Sequence, residues 1–310
     1  MVWVLRKIVI VGAGAMGCLF AARLVEGGHD VTLVDVDESR LAVLGRDGIT
    51  LSDDQGKRSV PVKAMVAPKV IGPIDLVLLF TKGMHSADAV RSVAHLANGK
   101  TFVLTLQNGL GNADIIAAVF DPNQILMGVT DVPADLTLPA TVSSHGHGHI
   151  WIGNYVGEAA FCDSLRAVES AFNHSNLATE IVSDIRVPIW EKVAFNAALN
   201  PLATILQVSA GRLSVQPARS IISAILTEVV VTAKAHGVTL DQASIIDKVN
   251  FALANQKDHK PSMLQDRIAG RATEIEFING AIARAAQEKG IAVPVTETLA
   301  NLIRVMENRE

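Results

Sequence analysis

Two groups of residues in this 310-residue sequence have the types and spacing to do chemistry. The first is Gly12-Ala13-Gly14-Ala15-Met16-Gly17, whose G-x-G-x-x-G spacing follows the β-branched run Ile8 to Val11 and opens an apolar helical pattern, Ala15 to Glu26. Set between a buried strand and a helix, Gly12 permits a tight turn, Gly14 lets backbone approach a pyrophosphate and Gly17 lets the helix pack closely, with helix N-terminal N–H groups facing the anion. A second strand, Val31 to Val34, ends at Asp35. That acidic residue falls about 20 residues past the glycines, where a ribose 2′-hydroxyl is bound. The chemistry implied is the gripping of a dinucleotide.

The second group lies in residues 188–207, an apolar helical stretch in which Lys192, Asn196 and Asn200 are spaced i, i+4, i+8 and share one face. A lysine and two amides among Val193, Phe195, Ala197, Ala198 and Leu199 need polar partners, because burying them unpaired costs several kcal/mol. A solvated stripe on an amphipathic helix is the plainer alternative, but the flanking positions are too apolar for an ordinary surface helix. Ser262 with Gln265 fits a capping box at a helix start, and Thr273 to Gly280 reads as the start of another helix with Glu274 in its first turn.

The elements that must position these groups alternate through the first half. A helix is predicted over 37–47, short strands over 48–51 and 59–65 around an Asp53-Asp54-Gln55-Gly56 turn as an excursion of the same sheet, and a strand over 74–80. A helix over 86–96, a strand over 101–106, a helix over 112–120 and a strand over 125–129 follow. Apolar strands alternating with helices imply a parallel, doubly wound sheet, which binds ligands at the carboxyl ends of its strands. Gly12, Asp35, Thr81, Lys82 and Asn108 all fall at such ends and are expected to rim one crevice. His145, His147 and His149 recur with period two, so on a strand they would share a face that could in principle bind a metal. With no matched carboxylate nearby, an exposed strand face is the expectation, and no metal is assigned. A helix from about Glu158 to Ala171 and a strand near 179–182 close this half, and only helical signals remain beyond Ser183. The predicted fold is α/β: an N-terminal Rossmann-type dinucleotide-binding domain, residues 1–184, followed by an all-α substrate and catalytic domain, residues 185–310.

Composition narrows the class. Hydrophobic residues at 49% and charged residues at 19% describe a globular chain with a large core, and a net charge of −4 without a basic run advertises no surface for nucleic acid or anionic lipid. Two cysteines, Cys18 and Cys162, are too few for a disulfide framework, and Cys18 reads as packing behind the glycines. The opening residues do not read as a signal peptide, and no run approaches the ~20 apolar residues of a membrane span, so a cytoplasmic location is expected.

Taken in order, Gly12 to Gly17, Thr81-Lys82, Asn108-Gly-Leu-Gly111, Trp190-Glu-Lys-Val-Ala-Phe-Asn196, Asn200-Pro-Leu202, Ser262-Met-Leu-Gln-Asp266 and Thr273-Glu-Ile-Glu-Phe-Ile-Asn-Gly280 resemble the ketopantoate reductase (2-dehydropantoate 2-reductase) family, from Lys7 to about Pro294. The resemblance implies a site in a cleft between the two domains, where hydride passes from NAD(P)H to a 2-keto acid carbonyl, 2-dehydropantoate giving pantoate, while a lysine protonates the alkoxide. By position that lysine is Lys192. Asn196, Asn200 and Ser262 match substrate-binding positions, and Asn108 matches one near both nicotinamide and substrate. Lys82 and Ala134 match cofactor positions, and Glu274 a carboxylate at the junction of cofactor and substrate. The expected partner is a small 2-keto or 2-hydroxy acid, with a homodimer left open.

The sequence departs from the family pattern in two respects. NADPH-using members carry an arginine just after the second strand, where this chain has Asp35-Val36. A carboxylate ~4 Å from a 2′-phosphate would cost about 4 kcal/mol at a near-surface dielectric, so NADH is expected to be preferred. Ala210 and His259 stand where the family often has asparagines on the substrate side. NAD-dependent D-2-hydroxyacid dehydrogenases of the same fold, acting on mandelate-type or branched acids, are the second reading. A dinucleotide sensor without catalysis is a third, against which stands the joint presence of Lys192, Asn196, Asn200, Ser262 and Glu274.

Overall fold

The computed structural model describes residues 5–156, 163–255 and 257–307; Cys162 and the expected helix start near Glu158 lie outside them. The chain divides into two compact units, one of residues 1–107 and 112–185, the other of residues 108–111 and 186–310.

In the first unit the order is β1 (Lys7–Val11), α1 (Ala15–Glu26), β2 (Asp30–Val34), α2 (Glu38–Asp47), β3 (Ile49–Asp53), β4 (Gly56–Val60), β5 (Lys63–Met65), β6 (Leu76–Leu79), α3 (Ser86–Ser92), β7 (Phe102–Thr105), α4 (Asn112–Ala117), β8 (Ile125–Thr130), β9 (Asp135–Thr137), β10 (Thr141–Ser144), β11 (Ile150–Asn154), α5 (Asp163–His174) and β12 (Thr179–Ile181). Eight strands form one sheet in the order β12-β11-β8-β7-β6-β1-β2-β5. All its pairings are parallel except β11 with β8. Side chains on a strand alternate between faces, so one strand feeds two cores. Ile8 and Ile10 of β1, with Leu76 and Leu78 of β6, pack with Phe20 and Phe172 on one face. Val9, Val11, Val77 and Leu79 pack with Val90 and Ile116 on the other. Burial on both faces is why these strands read as continuous apolar runs.

Several sequence expectations are corrected. The 48–51 and 59–65 strands are not an excursion of the main sheet: β3 and β4 belong to a second, four-stranded sheet, β4-β3-β10-β9, while β5 returns to the main sheet beside β2. Pro61 divides the expected 59–65 strand, since proline has no N–H for a ladder. His145, His147 and His149 lie in the connection between β10 and β11 rather than on a strand face, with Gly146 turning the chain at φ +84°. There His145 pairs with Asp54 at 3.0 Å, and His149 lies 3.4 Å from Glu180. The expected 86–96 helix is shorter, α3 ending at Ser92 before a single 3₁₀ turn over Ala94–Leu96.

The second unit is helical throughout its described residues: α6 (Arg186–Leu206), α7 (Gln216–Ala235), α8 (Gln242–Asn255), α9 (Ser262–Ile268), α10 (Asn279–Glu288) and α11 (Pro294–Met306), with a 3₁₀ turn over Ala210–Ser214. Its core gathers around α6, which contributes Trp190, Val193, Ala197, Ala198 and Leu199. Glu228 of α7 accepts from the first N–H groups of α11, Val295 at 2.9 Å and Thr296 at 2.8 Å, a carboxylate cap favoured by the helix dipole. The Ser262–Gln265 capping box does not form. Pro261 is the N-cap, Ser262 is already the first helical residue, and Gln265 donates to Lys260 O at 2.9 Å. Nor does a helix begin at Thr273. The carbonyl of Glu274 accepts from both Phe277 and Ile278 in a tight turn, Ile278 is non-helical at φ −106°, ψ −94°, and α10 starts at Asn279. No helix among the described residues is long and apolar enough to cross a membrane.

Candidate functional site

The glycine turn joins β1 to α1 under tight constraint. Gly12 has φ +105° and donates to Val34 O at 2.8 Å, and a Cβ placed on it would lie 2.8 Å from Thr81 N. A Cβ on Gly17 would stand 1.8 Å from Gly12 O, so helix and turn meet only because Gly17 lacks a side chain. A Cβ on Gly14 would instead project into open space. Ala15 and Met16 form the first turn of α1, leaving its N–H groups available to an anion.

Asp35 is fixed by backbone. Its Oδ2 accepts from Ala13 at 2.6 Å, and its Oδ1 accepts from Val36 at 2.8 Å and Asp37 at 3.1 Å. Turn and carboxylate open into a cavity of about 720 Å³ walled by Gly12, Gly14, Asp35, Thr81 and Lys82, with apolar surface from Val34, Val66 and Pro68. Phosphate-facing backbone, an acidic group at the end of β2, a lysine and an apolar slot fit a dinucleotide. Of the residues expected to rim one crevice, Asn108 is not a wall of this cavity and belongs to the second unit. Ala134 packs against the core rather than lining the cavity.

Two further residues, Gln107 and Arg40, support this site. Gln107 Nε2 donates to Thr81 O at 2.5 Å and to Ser86 Oγ at 2.7 Å, holding the β6 end that carries Thr81 and Lys82. Its only sequence signal is an amide at the end of β7. Arg40 lines the cavity and is tethered, Nε to Pro139 O at 3.0 Å and Nη2 to Cys18 Sγ at 3.5 Å. Burial pushes the Cys18 thiol up to about 11, partly offset by the charge of Arg40, consistent with a packing role.

In the second unit α6 carries Lys192, Asn196 and Asn200 on one face, as their spacing requires. Asn196 and Asn200 are buried, and among the described residues the Nδ2 group of Asn200 has no hydrogen-bond partner. A buried amide donor left unmet is costly, so an acceptor oxygen arriving there is strongly favoured. Residues 108–111 bring Asn108 to the turn before α10. Leu110 donates to Phe277 O at 2.9 Å, and Asn108 Nδ2 reaches Glu274 Oε2 at 3.4 Å. Ser262 is exposed at the start of α9, which packs against α6. The two residues of the substrate-side departure from the family pattern are neighbours, Ala210 donating to His259 O at 2.9 Å.

Residues 8–157 match the family described as ketopantoate reductase PanE/ApbA, and residues 184–307 match the ketopantoate reductase PanE/ApbA C-terminal family. A 2-dehydropantoate 2-reductase of Halobacterium salinarum is 31% identical over 303 residues, covering 97% of this chain and 99% of that protein. One of Lactococcus lactis is 31% identical over 310 residues, covering 97% and 98%. Among solved structures, the ternary complex of D-mandelate dehydrogenase with NADH and anilino(oxo)acetate has a TM-score of 0.92 at 29% identity, covering 97% of this chain and 98% of that one. The 2-dehydropantoate 2-reductase of Geobacter metallireducens has a TM-score of 0.90 at 29% identity, covering 97% and 99%. With both halves matched, this chain belongs to the ketopantoate reductase family of oxidoreductases.

Proposed function

We propose that this oxidoreductase reduces the carbonyl of a small 2-keto acid, 2-dehydropantoate in the first reading, with NADH as the favoured reductant. The observation that carries the proposal is the α6 face, where Lys192 and Asn196 share a side with the unmet Nδ2 donor of Asn200. The nicotinamide, when bound, supplies the hydride. Lys192 is the proton donor: its ammonium favours negative charge developing on the carbonyl oxygen and then protonates it, an acid contribution of roughly 10²–10⁴-fold. Asn196, Asn200 and Ser262 donate to the carboxylate and carbonyl oxygens and fix their orientation. Glu274 and Asn108, paired at 3.4 Å, are assigned to the same site on the family resemblance. The N-terminal domain, residues 1–184, holds the dinucleotide through Gly12 to Gly17, Asp35, Thr81 and Lys82, with Ala134 in support. Residues 185–310 hold the acid.

A second reading, a D-2-hydroxyacid dehydrogenase, is favoured by Asp35 at the cofactor cavity and by the likeness to D-mandelate dehydrogenase. The test is a panel of 2-dehydropantoate, benzoylformate and branched 2-keto acids, each assayed with NADH and NADPH. Highest kcat/KM for 2-dehydropantoate supports the first reading, and highest kcat/KM for benzoylformate or a branched acid the second. Failure to turn over any 2-keto acid with either cofactor removes both.

A further inference from the structure

Helix α6 runs unbroken from Arg186 to Leu206 although Pro201 lies inside it. Proline has no N–H, so the carbonyl four residues earlier, that of Ala197, loses its helical donor, and the proline ring crowds the same oxygen. Ala197 is fully buried between Asn196 and Asn200, so no bulk water reaches that carbonyl's surroundings to replace the bond. The donor comes from another helix. Asn279, the first residue of α10 and fully buried, points its Nδ2 at Ala197 O at 3.2 Å, across 82 positions of sequence. One turn further on, the Thr204 hydroxyl donates to Asn200 O at 2.7 Å, a back-bond of the kind that bends helices.

We infer that Asn279 is a positioning residue for the keto-acid site: its side-chain amide replaces the hydrogen bond that Pro201 deletes, and so fixes the stretch of α6 that presents Asn196 and Asn200. The fold supplies the means. Because the 275–278 turn keeps α10 from starting earlier, Asn279 falls at the first helical position, where its side chain reaches α6. Among the described residues the buried Asn279 Oδ1 has no hydrogen-bond partner, and the contact to Ala197 O is the side chain's one polar bond. A buried asparagine whose Oδ1 is left unmet is expensive in a core, and the repair of α6 accounts for its presence.

The inference rests on the proposed role of Asn196 and Asn200, and the test separates the two. Asn279→Ala, Pro201→Ala and the double variant are compared with wild type in two measurements, steady-state kinetics and thermal unfolding. In Asn279→Ala the Ala197 carbonyl has no donor; kcat/KM for the keto acid is expected to fall about 10²-fold, as for an ångström-scale misplacement. The Kd for NADH should change less than twofold. In the double variant the Pro201→Ala substitution restores a backbone N–H that can donate to Ala197 O, so at least tenfold of that loss should return, and so should most of the lost Tm. A double variant as impaired as Asn279→Ala in both measurements overturns the inference. If Asn279→Ala does not fold, the double variant must fold, and its failure overturns the inference equally. Recovery of Tm without recovery of activity would confirm the repair of α6 and count against the role given to Asn196 and Asn200.

Discussion

Asn108 and Glu274, 166 positions apart in sequence, meet at 3.4 Å between Nδ2 and Oε2. Backbone makes the meeting. Leu110 donates to Phe277 O at 2.9 Å, and Gly109, at φ +92°, passes so close that a Cβ on it would lie 2.2 Å from that same oxygen. Gly109 is therefore the point at which residues 108–111 attach to the turn before α10.

Gly109→Ala should break this attachment. The substitution adds a steric clash with main chain to a left-handed backbone worth roughly 1–2 kcal/mol of strain for a residue with a Cβ. The expected outcome is a lower Tm and a loss of at least tenfold in kcat/KM for the keto acid, with NADH affinity little changed because the cavity at the glycine turn is walled by other residues. A fully active Gly109→Ala enzyme would detach Asn108 and Glu274 from the proposed site.

Lys192→Ala tests the proton donor directly. Loss of an interaction made in the transition state lowers kcat, whereas loss of uniform binding raises KM alone. The variant should lose roughly 10²–10⁴-fold in kcat and bind NADH as wild type does, measured by quenching of protein fluorescence. Near wild-type kcat would take Lys192 off the proton path.

How far the site was legible depends on the range of the forces that build it. The Gly12 to Gly17 turn, Asp35 at the end of β2 and the i, i+4, i+8 face of α6 are local patterns, and each reads off neighbouring residues. The second sheet is not local: β10 pairs β3 in parallel, Val142 opposite Leu51, from far along the chain, and nothing in either strand announces that partner. The start of α10 was misplaced for a similar reason. Thr273 to Asn279 has helix-compatible residues, but Thr273 N–H bonds to Glu307 and the Glu276 carboxylate bonds to Arg304, so tertiary partners hold a turn where propensity alone extends a helix. The Asn279 repair of α6 was equally hidden, because Pro201 shows which carbonyl is freed but not which residue satisfies it.

The pH dependence of this turn follows from Glu276. Its carboxylate takes Arg304 through Nε at 2.7 Å and Nη2 at 2.8 Å, and the Arg304 hydrogen bonds, aided by the charges of Arg304 and Arg284, hold its pKa below the usual carboxylate value. A carboxyl whose folded pKa is depressed adds stability that is complete above its unfolded pKa, near ~4.3, and lost as pH falls through the lower folded value. The stability difference between wild type and Glu276→Gln, from urea unfolding, should therefore be constant from about pH 7 to about 5.5 and shrink on further acidification. A difference that stays the same down to about pH 3 would show that the ion pair is not its source.

The last prediction concerns the cofactor and turns on the end of β2. Three backbone N–H groups aim the Asp35 carboxylate, which leaves Oδ2 lone-pair capacity toward the cavity, where an adenosine ribose hydroxyl can donate a charge-assisted hydrogen bond. A 2′-phosphate in the same place removes that donor and meets a fixed negative charge, so both effects favour NADH. Arg40 and Arg46 are the two arginines of α2, the helix that follows Asp35. Arg46 is bonded to Asp47 through both Nε and Nη2 and is largely exposed, while Arg40 is held to Pro139 O and Cys18 Sγ, which limits its swing toward a phosphate. Val36 is 93% exposed, so an arginine there meets no packing penalty. The wild type should show at least a tenfold preference for NADH in kcat/KM, about 1.4 kcal/mol. Val36→Arg alone should narrow it, and Asp35→Ser with Val36→Arg should reverse it. Because Asp35 also anchors Ala13, the single Val36→Arg variant guards against a general loosening of the turn in the double. A wild type that prefers NADPH, and loses that preference in Arg40→Gln, would assign the phosphate to Arg40 and turn Asp35 into a structural anchor of the glycine turn.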